Sequence, residues 1–245
     1  MLRALSIFTA LIATPAMACE QVTFDDARFT TCSVDLTQEE VRLFLRDEDG
    51  TILGTFSRVE NSLPEGQRLG FAMNAGMFHE DRAPVGLYVE DGTQEMRIIT
   101  SEGPGNFGLL PNGVLCLQEG RAAVVESRAF AEAPLDCTFA SQSGPMLVID
   151  GDLHPRFLPD SDSRNIRNGV GVSADGQTLH LAISDQPVTF HHFARVFRDH
   201  LQTPNALFFD GRVSRLHAPD IGRSDFGLPL GPIIGTVVDE GAPGG

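Results

Sequence analysis

The sequence predicts an α+β fold: a single domain built on a mixed, mostly antiparallel and strongly curved β-sheet, with few helices. Three observations carry this. Short apolar or alternating runs recur along the 245 residues, each bounded by Gly, Pro, Asn or Asp. Only one segment shows helical periodicity. Strands and helices do not alternate as in a βαβ protein, and no fixed repeat is present.

Residues 1–18 have the make-up of an export leader. Arg3 is followed by an apolar run from Leu5 to Ala13, too short to span a bilayer, and then by the small-x-small pattern Ala16-Met17-Ala18. Cleavage after Ala18 would make Cys19 the first residue. A lipid-attached Cys wants Leu three residues earlier and a small residue two earlier. Ala16 and Met17 stand there, so soluble export to the periplasm or beyond is expected rather than lipidation at Cys19. No second long apolar run follows, and no membrane span is expected. The domain is expected over 19–239, with a flexible Gly/Pro tail at 240–245.

Segments 21–24, 42–46 and 51–56 read as strands, with a turn at Asp49-Gly50. Segment 69–78 is an apolar strand closed by Asn74 and Gly76, and 84–90 is a strand closed by Asp91-Gly92. A hairpin is expected between 106–110 and 113–117, across Pro111-Asn112-Gly113. Ser143-Gly144-Pro145 turns the chain into a strand that ends at Asp150-Gly151. Segments 169–173 and 179–183 pair across Asp175-Gly176. The one helix runs from a Thr189 cap through Phe190, Phe193, Phe197 and Leu201, all on one face, and stops before Pro204. Two strands follow, at 205–210 and 231–238.

Composition excludes several chemistries. The formal net charge is −15, which repels nucleic acid and anionic membrane surfaces. All 18 basic residues are Arg. With no Lys there is no Schiff base, no lysine general base and no Walker-type phosphate loop. Any anion site must use the planar fork of Arg. Trp is absent and Tyr88 is the only Tyr, so a lectin-like stacking module is disfavoured. The four cysteines suit two disulfides in an exported protein. Of the three connectivities the most local, Cys19–Cys32 with Cys116–Cys137, is expected.

Ser141-Gln142-Ser143-Gly144 precedes a strand and lacks the Gly of a nucleophile elbow. His191 and His192 are adjacent, so on a helix they diverge by about 100° and make a poor joint metal site. No cofactor or catalytic metal is expected. Asp160 and Asp162 are the only place for a structural calcium, without the EF-hand glycine and glutamate.

Four strand ends carry a polar group beside Gly: Asn74 with Gly76, Ser143 with Gly144, Arg167 before Gly169, and Asp210 with Gly211. Asp210-Gly211 alone reads as a hairpin turn. Four such ends in one domain are hard to assign all to turns, because each polar group is costly to bury unpaired. An amide, a hydroxyl, a guanidinium and a carboxylate together suit a polyhydroxylated ligand with one anionic group.

The segments 71–78, 84–89, 143–148 with Asp150-Gly151, 167–171, and 206–211 with Ser214 resemble, in order, the motifs of the phosphodiester glycosidases, and the chain is most similar to their exported bacterial branch. That resemblance implies an exported hydrolase cleaving the glycosyl–phosphate bond of a sugar-1-phosphodiester in envelope or extracellular glycans. The chemistry of such a bond, which needs its phosphate held, assigns Arg167, with Arg212, as the phosphate contact. Asp210 would support positive charge on the sugar or direct water. Asn74, Gly76, Ser143, Gly144, Gly211 and Arg212 would line the substrate. Family members often have Asp-Gly-Gly where this chain has Asp210-Gly211-Arg212. That departure favours the alternative, a non-catalytic periplasmic protein that binds polysaccharide or phosphoglycan in the same pocket. Nothing in the sequence sets an oligomeric state.

Overall fold

The structure, a computed structural model, describes residues 18–241. The expected leader, apart from Ala18, and residues 242–245 of the expected tail lie outside the described residues. Glu240 N–H still donates to Gly66 O, at 2.7 Å.

The protein is α+β, a single domain with few helices, and its ladders are antiparallel. The strands form three sheets that share one core. The first holds seven strands, in the order Cys19–Phe24, Ala27–Asp35, Thr178–Ser184, Asn168–Val172, Asn205–Asp210, Met146–Ile149 and Asp152–Leu153. The second holds five, with Gln67–Asn74 central between Leu216–Ala218 and Ile233–Asp239. The third also holds five, with Phe139–Ser143 between Tyr88–Glu90 and Gly113–Gln118. Phe71, Leu115, Phe139, Val170, Leu207 and Ile234 meet in one buried cluster drawn from all three sheets.

The strand Asn205–Asp210 explains its own apolar run. Leu207 and Phe209 face that shared core, while Ala206 and Phe208 face the helical side, so both faces are buried. The helix Phe190–Arg195 packs on that second face through Phe193, with Phe197 continuing the stripe. Thr189 Oγ1 accepts from His192 N–H at 3.1 Å, the expected cap. Its last turn widens: Val196–His200 is π-helical, and Leu201 N–H reaches Val196 O. Both expected disulfides are present, Cys19–Cys32 between the first two strands and Cys116–Cys137 in the third sheet.

Several local expectations are corrected. The 51–56 strand is reduced to a bridge between Arg46 and Ile52, and Phe56–Ser62 is a helix. Thr55 caps it, and Phe56 and Val59, three apart, are both buried. The 106–110 segment is loop, closed by Asn112 Nδ2 donating to Phe107 O at 2.8 Å. Gly113–Gln118 pairs instead with Arg121–Glu126, across Gly120 at φ 69°. Of 84–90 only Tyr88–Glu90 is strand, paired with the polar edge strand Thr93–Met96 that no apolar pattern announced.

Candidate active site

The predicted strand ends come together where the three sheets meet. Asn74 ends Gln67–Asn74 of the second sheet, Ser143 ends Phe139–Ser143 of the third, and Asp210 ends Asn205–Asp210 of the first. Asn168 begins the strand beside Asp210, and the two residues are cross-strand partners.

Asn168 is the hub. Its Oδ1 accepts from Asn74 Nδ2 at 3.3 Å and from Asp210 N–H at 3.1 Å. Its Nδ2 donates to Asn74 O at 2.8 Å. Ser214 Oγ lies 3.2 Å from Asn168 Oδ1 and 2.9 Å from Asp210 O. Asn74 Oδ1 accepts from Arg215 N–H at 2.9 Å, and Ser143 Oγ donates to Phe209 O at 3.1 Å. Asn74, Ser143 and Asn168 are all fully buried. Their polar atoms are therefore spent on one another and on the backbone, which fixes the Asp210 corner to all three sheets.

The glycines divide. A Cβ on Gly76 would lie 2.5 Å from Ser141 Oγ, and one on Gly144 would lie 2.5 Å from Asn112 Cβ. Protein packing alone excludes a side chain at both. Gly211 is different: its nearest neighbour would be the Phe208 ring, at 3.3 Å, with Arg167 Nη1 at 3.7 Å. A side chain there would be a tight fit rather than a clash, and Gly211 itself is half-buried.

Arg167 is 1% exposed. Its Nε donates to Val188 O at 2.9 Å and its Nη2 to Ser163 O at 3.1 Å. The guanidinium carbon sits 3.6 Å from the Phe190 ring centre and 5.6 Å from that of Phe208. Phe157 stacks behind Phe190 at 4.9 Å, and His154 behind Phe157 at 4.7 Å. Among the described residues no carboxylate pairs with Arg167, and Nη1 has no hydrogen-bond partner. Burial lowers its pKa to about 10, so it stays cationic at neutral pH. A buried cation without a counter-charge costs several kcal/mol. Two carbonyls and a desolvated cation–π contact, worth about 2 kcal/mol, offset part of that.

Asp210 Oδ1 accepts from Arg212 N–H at 2.5 Å and from Val213 N–H at 3.2 Å. Oδ2 has no partner among the described residues. The Arg212 side chain is exposed and unpaired among them. The corner therefore presents one carboxylate oxygen, a partly exposed glycine and the edge of a buried cation. Hollows of about 420 and 470 Å³ lie elsewhere and are lined by neither Arg167 nor Asp210. Among the described residues no group of three His, Cys, Asp or Glu could hold a metal ion, and no helix is long and apolar enough to cross a membrane.

Asn168, Ser214 and Phe190 received no role from the sequence. Asn168 lay inside the Arg-Asn-Gly motif, between two residues that drew notice. Phe190 looked like an ordinary member of the apolar helix stripe, and only its contact with Arg167 distinguishes it.

The strand ends of this β-rich fold thus gather a guanidinium, a carboxylate and a partly exposed glycine at one corner. The model of the phosphodiester glycosidase family matches residues 67–216, which contain every residue of this corner. The chain belongs to that family. It is 32% identical over 215 residues to the uncharacterized protein YigE of Escherichia coli, covering 86% of this chain and 84% of that one. Its fold is similar to the zebrafish N-acetylglucosamine-1-phosphodiester α-N-acetylglucosaminidase catalytic domain auto-inhibited by its pro-peptide. There the TM-score is 0.62 at 12% identity, over 92% of this chain and 84% of that one. A Burkholderia pseudomallei protein described as exported gives a TM-score of 0.57 at 13% identity, over 86% and 74% of the two chains.

Proposed function

We propose that the protein is an exported hydrolase that cleaves the glycosyl–phosphate bond of a sugar-1-phosphodiester. One observation carries this: Arg167 is a buried cation with no carboxylate partner, and its unpaired edge lies beside Gly211, the residue that follows Asp210. Arg167 lacks a paired negative charge, and a phosphodiester supplies one. An exported protein meets such bonds in envelope and extracellular glycans, and the two disulfides fit an oxidising compartment.

The chemistry asks little of the protein. The leaving group is a phosphate monoester, far less basic than a sugar alkoxide, so it departs without much protonation. The general acid of an ordinary glycosidase pair is dispensable. The corner network offers a single carboxylate, Asp210, in keeping with that. Arg167 Nη1 and the Gly211 backbone hold the phosphate, with Arg212 reaching it from the surface. Asp210 Oδ2 supports the oxocarbenium-like sugar or directs a water at the anomeric carbon. As water adds, the C–O bond to phosphate breaks and the electron pair leaves with the phosphate. Asn74, Ser143 and Asn168 serve as positioning groups, because all three are buried and already bonded.

The exposed Arg212, standing where relatives often have glycine, favours a second reading: the same corner binds a phosphoglycan without cleaving it. Incubation with UDP-N-acetylglucosamine, or another sugar-1-phosphodiester, separates the two. Release of free sugar supports the hydrolase, and saturable binding without release supports the binding protein. Neither binding nor release would sink both.

A further inference from the structure

A second constellation lies on the far side of the Leu216–Ala218 strand. His217 and Ser224 are cross-strand partners on adjacent strands, Leu216–Ala218 and Arg223–Ser224. His217 Nδ1 lies 2.9 Å from Ser224 Oγ. On the other side of the ring, Nε2 lies 3.6 Å from Glu60 Oε1, on the helix Phe56–Ser62. That nitrogen is buried and has no hydrogen-bond partner within normal range. The three side chains line a hollow of about 180 Å³ together with Phe56, Phe226 and Arg215. We propose that Ser224, His217 and Glu60 form a second, nucleophilic site that hydrolyses short-chain carboxylic esters.

The arrangement has the parts that activation of a serine requires. Glu60 favours the tautomer with hydrogen on Nε2, which leaves Nδ1 as the acceptor for the Ser224 hydroxyl proton. The ring is reversed relative to the usual triad, but the roles are the same. The 3.6 Å gap to Glu60 is too long for a full hydrogen bond to a neutral ring. It gains strength once the ring is protonated, so the contact favours the transition state over the ground state. Burial holds His217 below the usual histidine range, with Glu60 opposing, so the ring is an unprotonated base at neutral pH.

The surroundings keep this geometry rigid and accessible. Ser224 is exposed, whereas His217 is 8% exposed and packs on the Phe56 ring at 5.7 Å. The residues flanking Ser224 are pinned: Arg223 Nη2 pairs with Asp225 Oδ2 at 3.0 Å, and Asp225 Oδ2 accepts from Leu216 N–H at 3.0 Å. Phe226, which lines the hollow, is 95% exposed, and Leu228, two residues on, is 66% exposed. Exposed large apolar side chains beside a small cleft suit a substrate with an apolar portion, and the volume of the hollow limits the acyl group to a short one.

In the first step Ser224 Oγ bonds to the ester carbonyl carbon and its proton passes to His217 Nδ1. The bond to the alcohol oxygen then breaks, and the alcohol leaves with that proton. Water next attacks the acyl-serine, gives a proton to His217, and releases the acid as Ser224 recovers its hydrogen. The overall change is ester plus water to acid plus alcohol.

The test uses the full chain with a fluorophosphonate probe and with p-nitrophenyl acetate. Peptide mapping is expected to place one adduct, on Ser224, and Ser224→Ala is expected to abolish both labelling and ester turnover. Because Ser224 is exposed, that variant keeps the wild-type melting temperature. His217→Gln lowers ester turnover at least about a hundredfold, and Glu60→Gln lowers kcat more than it changes KM. Labelling that is absent or on another serine, or turnover that survives Ser224→Ala, overturns the proposal.

Discussion

Two Asp-Gly pairs close neighbouring strands of the same sheet. Met146–Ile149 ends at Asp150-Gly151, and Asn205–Asp210 ends at Asp210-Gly211. The first is a hairpin turn: Asp150 has φ 47° and Gly151 φ 90°, and the chain returns at once as Asp152–Leu153. The second is not. Neither Asp210 nor Gly211 has positive φ, and no strand returns beside it. Asp210 folds the next residues onto its own Oδ1, and its backbone is tied to Asn168. Asp150 is exposed, while Asp210 is half-buried and is followed by Gly211, which lies beside a buried guanidinium. The same dipeptide is a turn where the chain needs to reverse, and a presented carboxylate where tertiary contacts hold the strand end in place.

The largest expected effect is at Arg167, which has no counterpart near Asp150. Arg167→Met keeps an apolar stem over Phe190 and removes the charge. Steady-state kinetics on a sugar-1-phosphodiester should show kcat/KM reduced about a thousandfold, and an unchanged value would remove the phosphate role. Asn168→Ala should act on the fold instead. It leaves the Asn74 amide and the Asp210 N–H unpaired, and urea unfolding is expected to lose about 3 kcal/mol; a loss near zero would mean the hub is dispensable.

Substituting the two aspartates tests the comparison directly. Asp210→Asn should lower turnover about a hundredfold, while Asp150→Asn should stay within about twofold. Equal effects would collapse the distinction.

A pH control is needed for all such work, and Glu90 sets it. Burial raises its pKa to about 7 from an ordinary 4.5, even though Tyr88 Oη donates to it at 2.6 Å. The folded state therefore holds a proton that the unfolded chain has released, and stability should fall as pH rises from about 4.5 to 7. Glu90→Gln should flatten that slope and add on the order of 2 kcal/mol above pH 7, less than the full shift implies because Glu90 is only partly buried. A slope unchanged in this variant would assign it elsewhere.

The smallest effects are at the glycines. Gly151→Ala is strained by its positive φ and should cost about 1 kcal/mol in thermal unfolding, with turnover intact. Gly211→Ala has ordinary φ and needs the Phe208 ring to give by only a few tenths of an ångström. It should leave stability within about 0.5 kcal/mol yet weaken substrate binding; the reverse pattern would mark Gly211 as a structural turn.

By itself, the sequence determined the class of fold, the capped helix, the pairing of 169–173 with 179–183 and the disulfide pattern. Each depends on local periodicity, turn chemistry or nearness in the chain. It also picked out Asn74, Ser143, Arg167 and Asp210, because polar residues at buried strand ends stand out against apolar neighbours. Tertiary structure decided the rest. The helix Phe56–Ser62 is too short for periodicity to declare it, and Thr93–Met96 is a strand only because Tyr88–Glu90 lies beside it. The division of the strands into three sheets rests on contacts between residues far apart in the chain. So do the roles at the site: Asn74 and Asn168 meet across 94 residues, and Arg167 differs from the other arginines only in what surrounds it. Burial and partnership set whether a polar group is a ligand contact or a brace, and both belong to the assembled molecule.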